Sequence, residues 1–231
     1  MNFKTNSHGL HTLNFELSEI ERKILRSCCD FLEDKGLKYI SIPSTITAKT
    51  FISQEIKTNT FSYGYDDILG GSAEQGILQY FSNSKVQPMR IFSENTCFRV
   101  EDQYEGLKRV KEFKKVEQFS FSHKQNALTE FDFLLNNAIE FLESINIKNY
   151  RLVNVTNLDP GYHKKKIDIE VWTEEYGWLE THSCSYFGEE QTKRYNIVGA
   201  THTVSNTGIA SPRILIPIIE KINMKKKGMS I

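Results

Sequence analysis

A chain of 231 residues can bury a sizeable core, as one large domain or two small ones. Hydrophobic residues make up 39% and charged ones 25%, and 29 Lys+Arg balance 29 Asp+Glu, so nothing in the bulk resembles the positive field of a protein that grips long nucleic acid. No apolar run is long enough to span a bilayer and MNFKTNSHGL has no signal-peptide core, which makes a cytoplasmic protein without membrane partners the expectation.

The first element is an amphipathic helix. LSEIERKILRSCCDFLEDKG, from Leu17 to Gly36, places Ile20, Ile24, Cys28, Phe31 and Leu32 on one face. Ser18 and Glu21 predict a capping-box start and Gly36 the stop. KYISIP alternates like a strand and breaks at Pro43, and Thr45 to Thr60 reads as loop with a short helix. SAEQGILQYF starts a helix, and MRIFSENTCFRVE predicts strands with a turn at Glu94 and Asn95. VKEFKKVEQFSFS alternates as a half-buried antiparallel strand does, and NALTEFDFLLNNAIEFLESI is a second amphipathic helix. YRLVNVT, KIDIEVWTEE and YGWLETHSCSY are strands with a hairpin turn at residues 175–177, and PRILIPIIEKI is a last helix before the basic tail. With neither repeat nor linker, this order predicts a single α+β domain on an antiparallel sheet over residues 17–222. Residues 1–16 precede it as an extension and 223–231 follow as a solvated tail.

The four cysteines, Cys28, Cys29, Cys97 and Cys184, form no CxxC pair and no disulfide framework, so they read as reduced thiols.

Charges recur on the strands, where a core alone has little use for them. CFRVE sets Arg99 and Glu101 two apart, so both leave one face of a strand, where the guanidinium can fork onto a phosphate or carboxylate. In GLKRVKEFKKVEQF, alternation puts Arg109, Lys111, Phe113, Lys115, Glu117 and Phe119 on one face. Arg109 could neutralise phosphate there, Phe113 stack on a planar base, and Glu117 receive an ammonium group. LETHSCSYFGEEQTKR offers Glu180 and Ser183 as hard oxygen ligands for Mg²⁺ held with phosphates. SNTGIASPR brings small residues up to Arg213 at the mouth of a helix. Each stretch has a plain alternative: a cross-strand salt bridge, the apolar half of a strand, small core fillers, or a loop.

Together, and in this order, the stretches resemble the catalytic core of class II aminoacyl-tRNA synthetases of the seryl type. GGSAEQGIL is similar to that family's T-A-E segment, with Ser72 for threonine, and CFRVEDQYEGLKRVKEFKKVEQF to its second motif. GYHKKKIDIEVW resembles the K-T-Y-D-L-E-V-W strand, LETHSCSYFGEEQTKR the E-I-S-S-C-S-N segment, and HTVSNTGIASPR the third motif. The resemblance spans about Ile20 to Ile222 and implies an amino-acid-activating ligase that joins ATP to a small amino acid. It implies Arg99 at the α-phosphate and substrate carboxylate, Glu101 on the adenine side, Arg109 at the terminal phosphates, Phe113 on the adenine face and Arg213 at the γ-phosphate. Glu180 and Ser183 would hold Mg²⁺, while Ser72, Glu74, Glu117, Ser205 and Thr207, with Arg99, would line the amino-acid pocket. Serine is the expected substrate, then glycine or alanine.

Some features depart from the pattern. Ser205 replaces the family's asparagine, the second-motif loop DQYEG is short, and the chain begins at the first core helix without the tRNA-binding arm. These departures lead to the expectation that the activated amino acid passes to the phosphopantetheine thiol of an acyl carrier protein and not to tRNA. Zinc is not expected, because no second cysteine is suitably placed. His182 and His202 read as hydrogen-bonding parts of the pocket wall. A homodimer is expected through Glu19 to Pro43. Two other readings compete: a non-catalytic paralogue acting as a binding or regulatory module, and a tRNA ligase working with a separate tRNA-binding partner.

Overall fold

The first helix, α1 (Phe15–Asp34), starts one turn earlier than its sequence signature suggests, because Asn14 and not Ser18 caps it. The Asn14 side chain accepts from the Leu17 amide at 3.0 Å. Ser18 Oγ donates instead to the Leu13 carbonyl, and Glu21 is drawn away to Lys114 and Ser211. In this computed structural model residues 3–53, 61–63, 66–158 and 161–226 are described; the expected loop over 45–60 is therefore seen only in part, and residues 227–231 of the tail lie outside.

Ahead of α1 stands a hairpin of β1 (Phe3–Thr5) and β2 (His11–Leu13). After it come β3 (Lys38–Tyr39), β4 (Thr45–Thr47), α2 (Ala48–Ser53), β5 (Ser62–Tyr63), β6 (Asp67–Leu69), α3 (Ala73–Phe81) and β7 (Lys85–Val86). The long elements follow: β8 (Met89–Phe98), β9 (Glu112–Ser122), α4 (Ala127–Ser144), β10 (Tyr150–Asn154), β11 (Lys165–Thr173) and β12 (Gly177–Gly188). The chain closes with α5 (Glu190–Arg194), β13 (Val198–Gly199), β14 (His202–Ser211) and α6 (Leu215–Lys226).

The main sheet has seven strands in the order β10-β11-β12-β14-β9-β8-β3, antiparallel throughout except where β3 joins β8. The expected α+β class on an antiparallel sheet is what the chain adopts. The expected turn at Glu94 and Asn95 does not form; β8 runs through both and pairs with β9 along its whole length. The polar side chains are satisfied across the sheet face, with Ser93 Oγ donating to Asn95 Oδ1 and Asn95 Nδ2 to the Ile42 carbonyl, so nothing forces a reversal. The hairpin at 175–177 does form, with Gly177 at φ +66° and Thr173 facing it across the turn.

One sheet face is covered by α1 and α4, whose Leu25, Cys28, Leu32, Phe131, Leu134 and Leu142 pack on Phe92, Val116, Cys184 and Val204. Burying each large apolar side chain contributes about 1.5–3 kcal/mol. On the other face α3 covers only one part, over Ile91, Phe119 and Phe121. The rest of that face stays open, and β9 is buried on both sides from Lys115 onward, not half-buried as its alternation suggested. No helix among the described residues is long and apolar enough to cross a membrane.

Candidate active site

The uncovered part of the sheet forms the floor of an open cleft. Phe113 and Lys115 of β9, Ser183 of β12 and Thr207 of β14 line it, together with Arg99, Glu101, Arg109, Glu180 and Arg213. The alternation that put Phe113, Lys115, Glu117 and Phe119 on one face holds. It fails for Arg109 and Lys111, which precede β9 in a loop closed by a bridge between Glu105 and Arg109. Arg99 and Glu101 likewise lie beyond the end of β8, not on a strand, and Arg99 is tied to the same loop by its amide, which donates to the Lys111 carbonyl. The β1–β2 hairpin braces that loop: the Lys111 amide donates to the Gly9 carbonyl at 2.9 Å. Gly9, at φ +74°, lies so close to the Tyr104 ring that a Cβ would overlap it.

Glu180 and Ser183 are three residues apart, a spacing that sends side chains to opposite faces of a regular strand. A β-bulge resolves this. Ile169 faces His182 and the next residue, Glu170, faces Glu180, so Thr181 is the extra residue and both ligand candidates reach the cleft. A second bulge between Thr207 and Ile209 does the same for Thr207 and Ala210. Both bulges are held by His182, whose Nε2 hydrogen-bonds the Gly208 carbonyl at 3.0 Å while Nδ1 meets Thr181 Oγ1 at 2.8 Å. Burial pushes the His182 pKa down to about 4, so it is neutral, with Nε2 donating. His202 bonds Thr201 and stacks on Tyr186.

Three guanidinium groups share the cleft. Arg213 is anchored by the backbone carbonyls of Lys108 and Glu180, each at 3.0 Å. Burial lowers its pKa from the ordinary value against the pull of Glu180, and Arg99 and Arg109 push the same way as burial. Arg99 lies 5.2 Å from the Phe113 ring and only grazes the Gly71 carbonyl at 3.5 Å. Arg109 is the one with a carboxylate, Glu101, at 3.4 Å, and its guanidinium is half exposed, where such a pair contributes little. Three guanidinium groups against the two cleft carboxylates, Glu101 and Glu180, leave a net positive charge suited to an anion.

The other four candidates, Ser72, Glu74, Glu117 and Ser205, form a hydrogen-bonded polar cluster at the start of α3, next to Lys115 of the cleft. Glu117 is buried and accepts from Ser72 Oγ at 2.8 Å and Ser205 Oγ at 3.2 Å. Ser72 also caps α3. Gln191 Nε2 donates to Glu74 at 2.8 Å. Burial pushes Glu74 up to about 7, and the nearby Glu117 charge adds to this.

Sequence reasoning gave no role to Lys115, which is buried, lines the cleft and pairs with Glu117; its place in the alternation between Phe113 and Glu117 was the available signal. Gln191, which also accepts from Thr203, carried no such signal. Cys97 and Cys184 are buried free thiols, Cys97 pushed up to about 11 by burial, consistent with packing roles.

For Mg²⁺ the donor set fits. Glu180 presents an exposed carboxylate to the cleft, and Ser183 Oγ, on the same wall, is a buried oxygen with no hydrogen-bond partner. Among the described residues no group of three or more His, Cys, Asp or Glu gathers as a metal cluster.

The fold and this cleft define a class of protein. Residues 62–220 match the family model of the tRNA synthetase class II core domain (G, H, P, S and T), and the chain belongs to that family. Within the class, the chain is similar to serine–tRNA ligases. That of Deinococcus radiodurans is 30% identical over 236 residues, covering 91% of this chain and 55% of the relative. That of Picrophilus torridus is 29% identical, covering 90% and 52%. Among solved structures, cytoplasmic serine–tRNA ligase from Naegleria fowleri in complex with AMP superposes with a TM-score of 0.83 at 27% identity, over 92% of this chain and 56% of that one. Seryl-tRNA synthetase from Pyrococcus horikoshii complexed with ATP gives 0.85 at 24% identity, over 96% and 58%, a likeness of fold. The chain thus spans about half the length of these relatives.

Proposed function

We propose that this chain activates a small amino acid, serine first and then glycine or alanine, by joining its carboxylate to ATP as an aminoacyl-adenylate. The observation that carries this is the gathering of Arg99, Arg109 and Arg213 in one cleft with the Phe113 ring, beside the buried carboxylate of Glu117, which Ser72 and Ser205 hold. The relatives crystallised with AMP and with ATP support the nucleotide.

In this reading a carboxylate oxygen of the amino acid attacks the α-phosphorus in line and pyrophosphate departs. Arg99 bridges the carboxylate and the α-phosphate, holding the attacking atom close and taking up charge as it builds. Phe113 stacks on the adenine, Glu101 sits on its polar side, and Arg109 and Arg213 neutralise the leaving phosphates. Glu117 faces the ammonium or hydroxyl, with Ser72, Glu74, Ser205 and Thr207 around it. Mg²⁺, held by Glu180 and Ser183, would supply charge neutralisation on the phosphate oxygens. No nucleophile or general base is required of the protein.

Serine-dependent exchange of pyrophosphate into ATP tests this. Arg99→Ala is expected to lower it by about 10²–10³-fold. No exchange with any amino acid would instead support a non-catalytic binding or regulatory module. As acceptor, tRNA has the support of relatives that are serine–tRNA ligases. The carrier-protein thiol expected from the sequence gains nothing from the site, and labelled serine offered to tRNA and to carrier protein in parallel separates the two. We further infer a homodimer through residues 19–43, supported by β3, which ends the sheet and leaves Tyr39 half exposed.

A further inference from the structure

Behind Ser183 stands a carboxylate that the proposed reaction has not used. Asp168 on β11 is the direct cross-strand partner of Ser183 on β12. Opposed residues of antiparallel strands share a face, with Cβ atoms about 4.5–5.5 Å apart. The hydroxyl is near enough to stabilise the carboxylate, yet neither Ser183 Oγ nor Asp168 Oδ1 completes a hydrogen bond, and both atoms are buried. No ion pair closes on Asp168 among the described residues, whereas Glu170, next on its face, is answered by Arg151 at 2.6 Å. An unpaired buried oxygen costs about 1–3 kcal/mol, a penalty that a donor or cation in front of it removes.

We propose that Asp168 is a positioning residue of the divalent-cation site, accepting the Ser183 hydroxyl proton in a hydrogen bond so that a lone pair of Oγ faces the ion. The chemistry requires such an acceptor. A serine hydroxyl that binds a cation through oxygen has its proton polarised, and the proton must point away from the metal to a base. Asp168 faces Ser183 from the neighbouring strand and does not itself line the cleft, and its charge would add to that of Glu180. The bulge at Thr181 makes the arrangement possible, because it brings Glu180 and Ser183 to the same face as Asp168.

The inference rests on the reading of Glu180 and Ser183 as cation ligands, and the experiment separates the two. Binding of Mn²⁺ to the full chain with a non-hydrolysable ATP analogue is followed by the electron paramagnetic resonance signal of the free ion. Asp168→Asn is expected to weaken Mn²⁺ about 10–100-fold while leaving analogue binding without metal little changed. In a Ser183→Ala background the same substitution should add almost nothing, because the acceptor no longer has a proton to hold. Wild-type Mn²⁺ affinity in Asp168→Asn, with Glu180→Gln impaired, overturns the role of Asp168 and leaves the cation site standing. Unchanged affinity in both variants overturns the site itself. Equal losses with and without metal, or additive losses with Ser183→Ala, reduce Asp168 to a structural residue. If the asparagine variant folds poorly, Asp168→Thr, uncharged and β-branched, is read in the same way.

Discussion

Glu117 is held from three sides, by Ser72, Ser205 and Lys115, and a variant at this position disturbs both stability and binding. Glu117→Gln leaves the Lys115 ammonium buried without its counter-charge, a change that costs about 3–5 kcal/mol. Chemical denaturation should show that loss, and pyrophosphate exchange should show KM rising for serine far more than for ATP. Glu74 makes a prediction about pH. Its folded pKa, raised by burial to about 7 from the ordinary 4.5, means that between those values the native state keeps a proton the unfolded chain has lost. The native state is then penalised as pH rises through that window. The Tm of the wild type, relative to Glu74→Gln, should therefore fall from about pH 5 to about pH 7, and parallel curves would show that Glu74 titrates as an ordinary carboxylate. Both carboxylates could be picked out by residue type. Their unlike environments could not, because Gln191 reaches Glu74, and Ser72 and Ser205 reach Glu117, only through the fold.

At the scale of elements, the start of α1 separates local signal from tertiary outcome. Ser18 and Glu21 form a capping-box pattern, but Asn14 has the cap and Glu21 is engaged by β9 and β14. Asn14→Ala should cost about 1 kcal/mol and Ser18→Ala no more than about 0.5 kcal/mol, both measured by denaturation with pyrophosphate exchange unchanged. The reverse order of effects would restore the capping box. In the same way β8 ignores its expected turn, since a strand between two others gains pairing at every residue it continues. The bulges in β12 and β14 left no trace in the alternation, because one inserted residue in a polar strand shifts the period without breaking it. They nevertheless decide which side chains meet in the cleft.

For the molecule as a whole, the sheet ends on the two-residue strand β3, whose Tyr39 is 50% exposed. Light scattering of the purified chain should give twice the monomer mass, and Tyr39→Asp should shift it to the monomer; a wild-type monomer would rule out the pairing through residues 19–43. By itself the sequence determined the α+β class, the two amphipathic helices, the long strands and the family, and it selected most of the polar residues that line the cleft, though not Lys108, Lys115, Thr181 or Ser211. These are local quantities: hydrophobic period, turn chemistry, and residue types recurring in a set order. Only the tertiary structure decided that Arg99 and Glu101 sit on a loop braced by the N-terminal hairpin, that Gln191 reaches Glu74, and that Asp168 faces Ser183. Those relations depend on strand register and on the bulges, which are settled by packing across the whole sheet and have no counterpart in the spacing of residues along the chain.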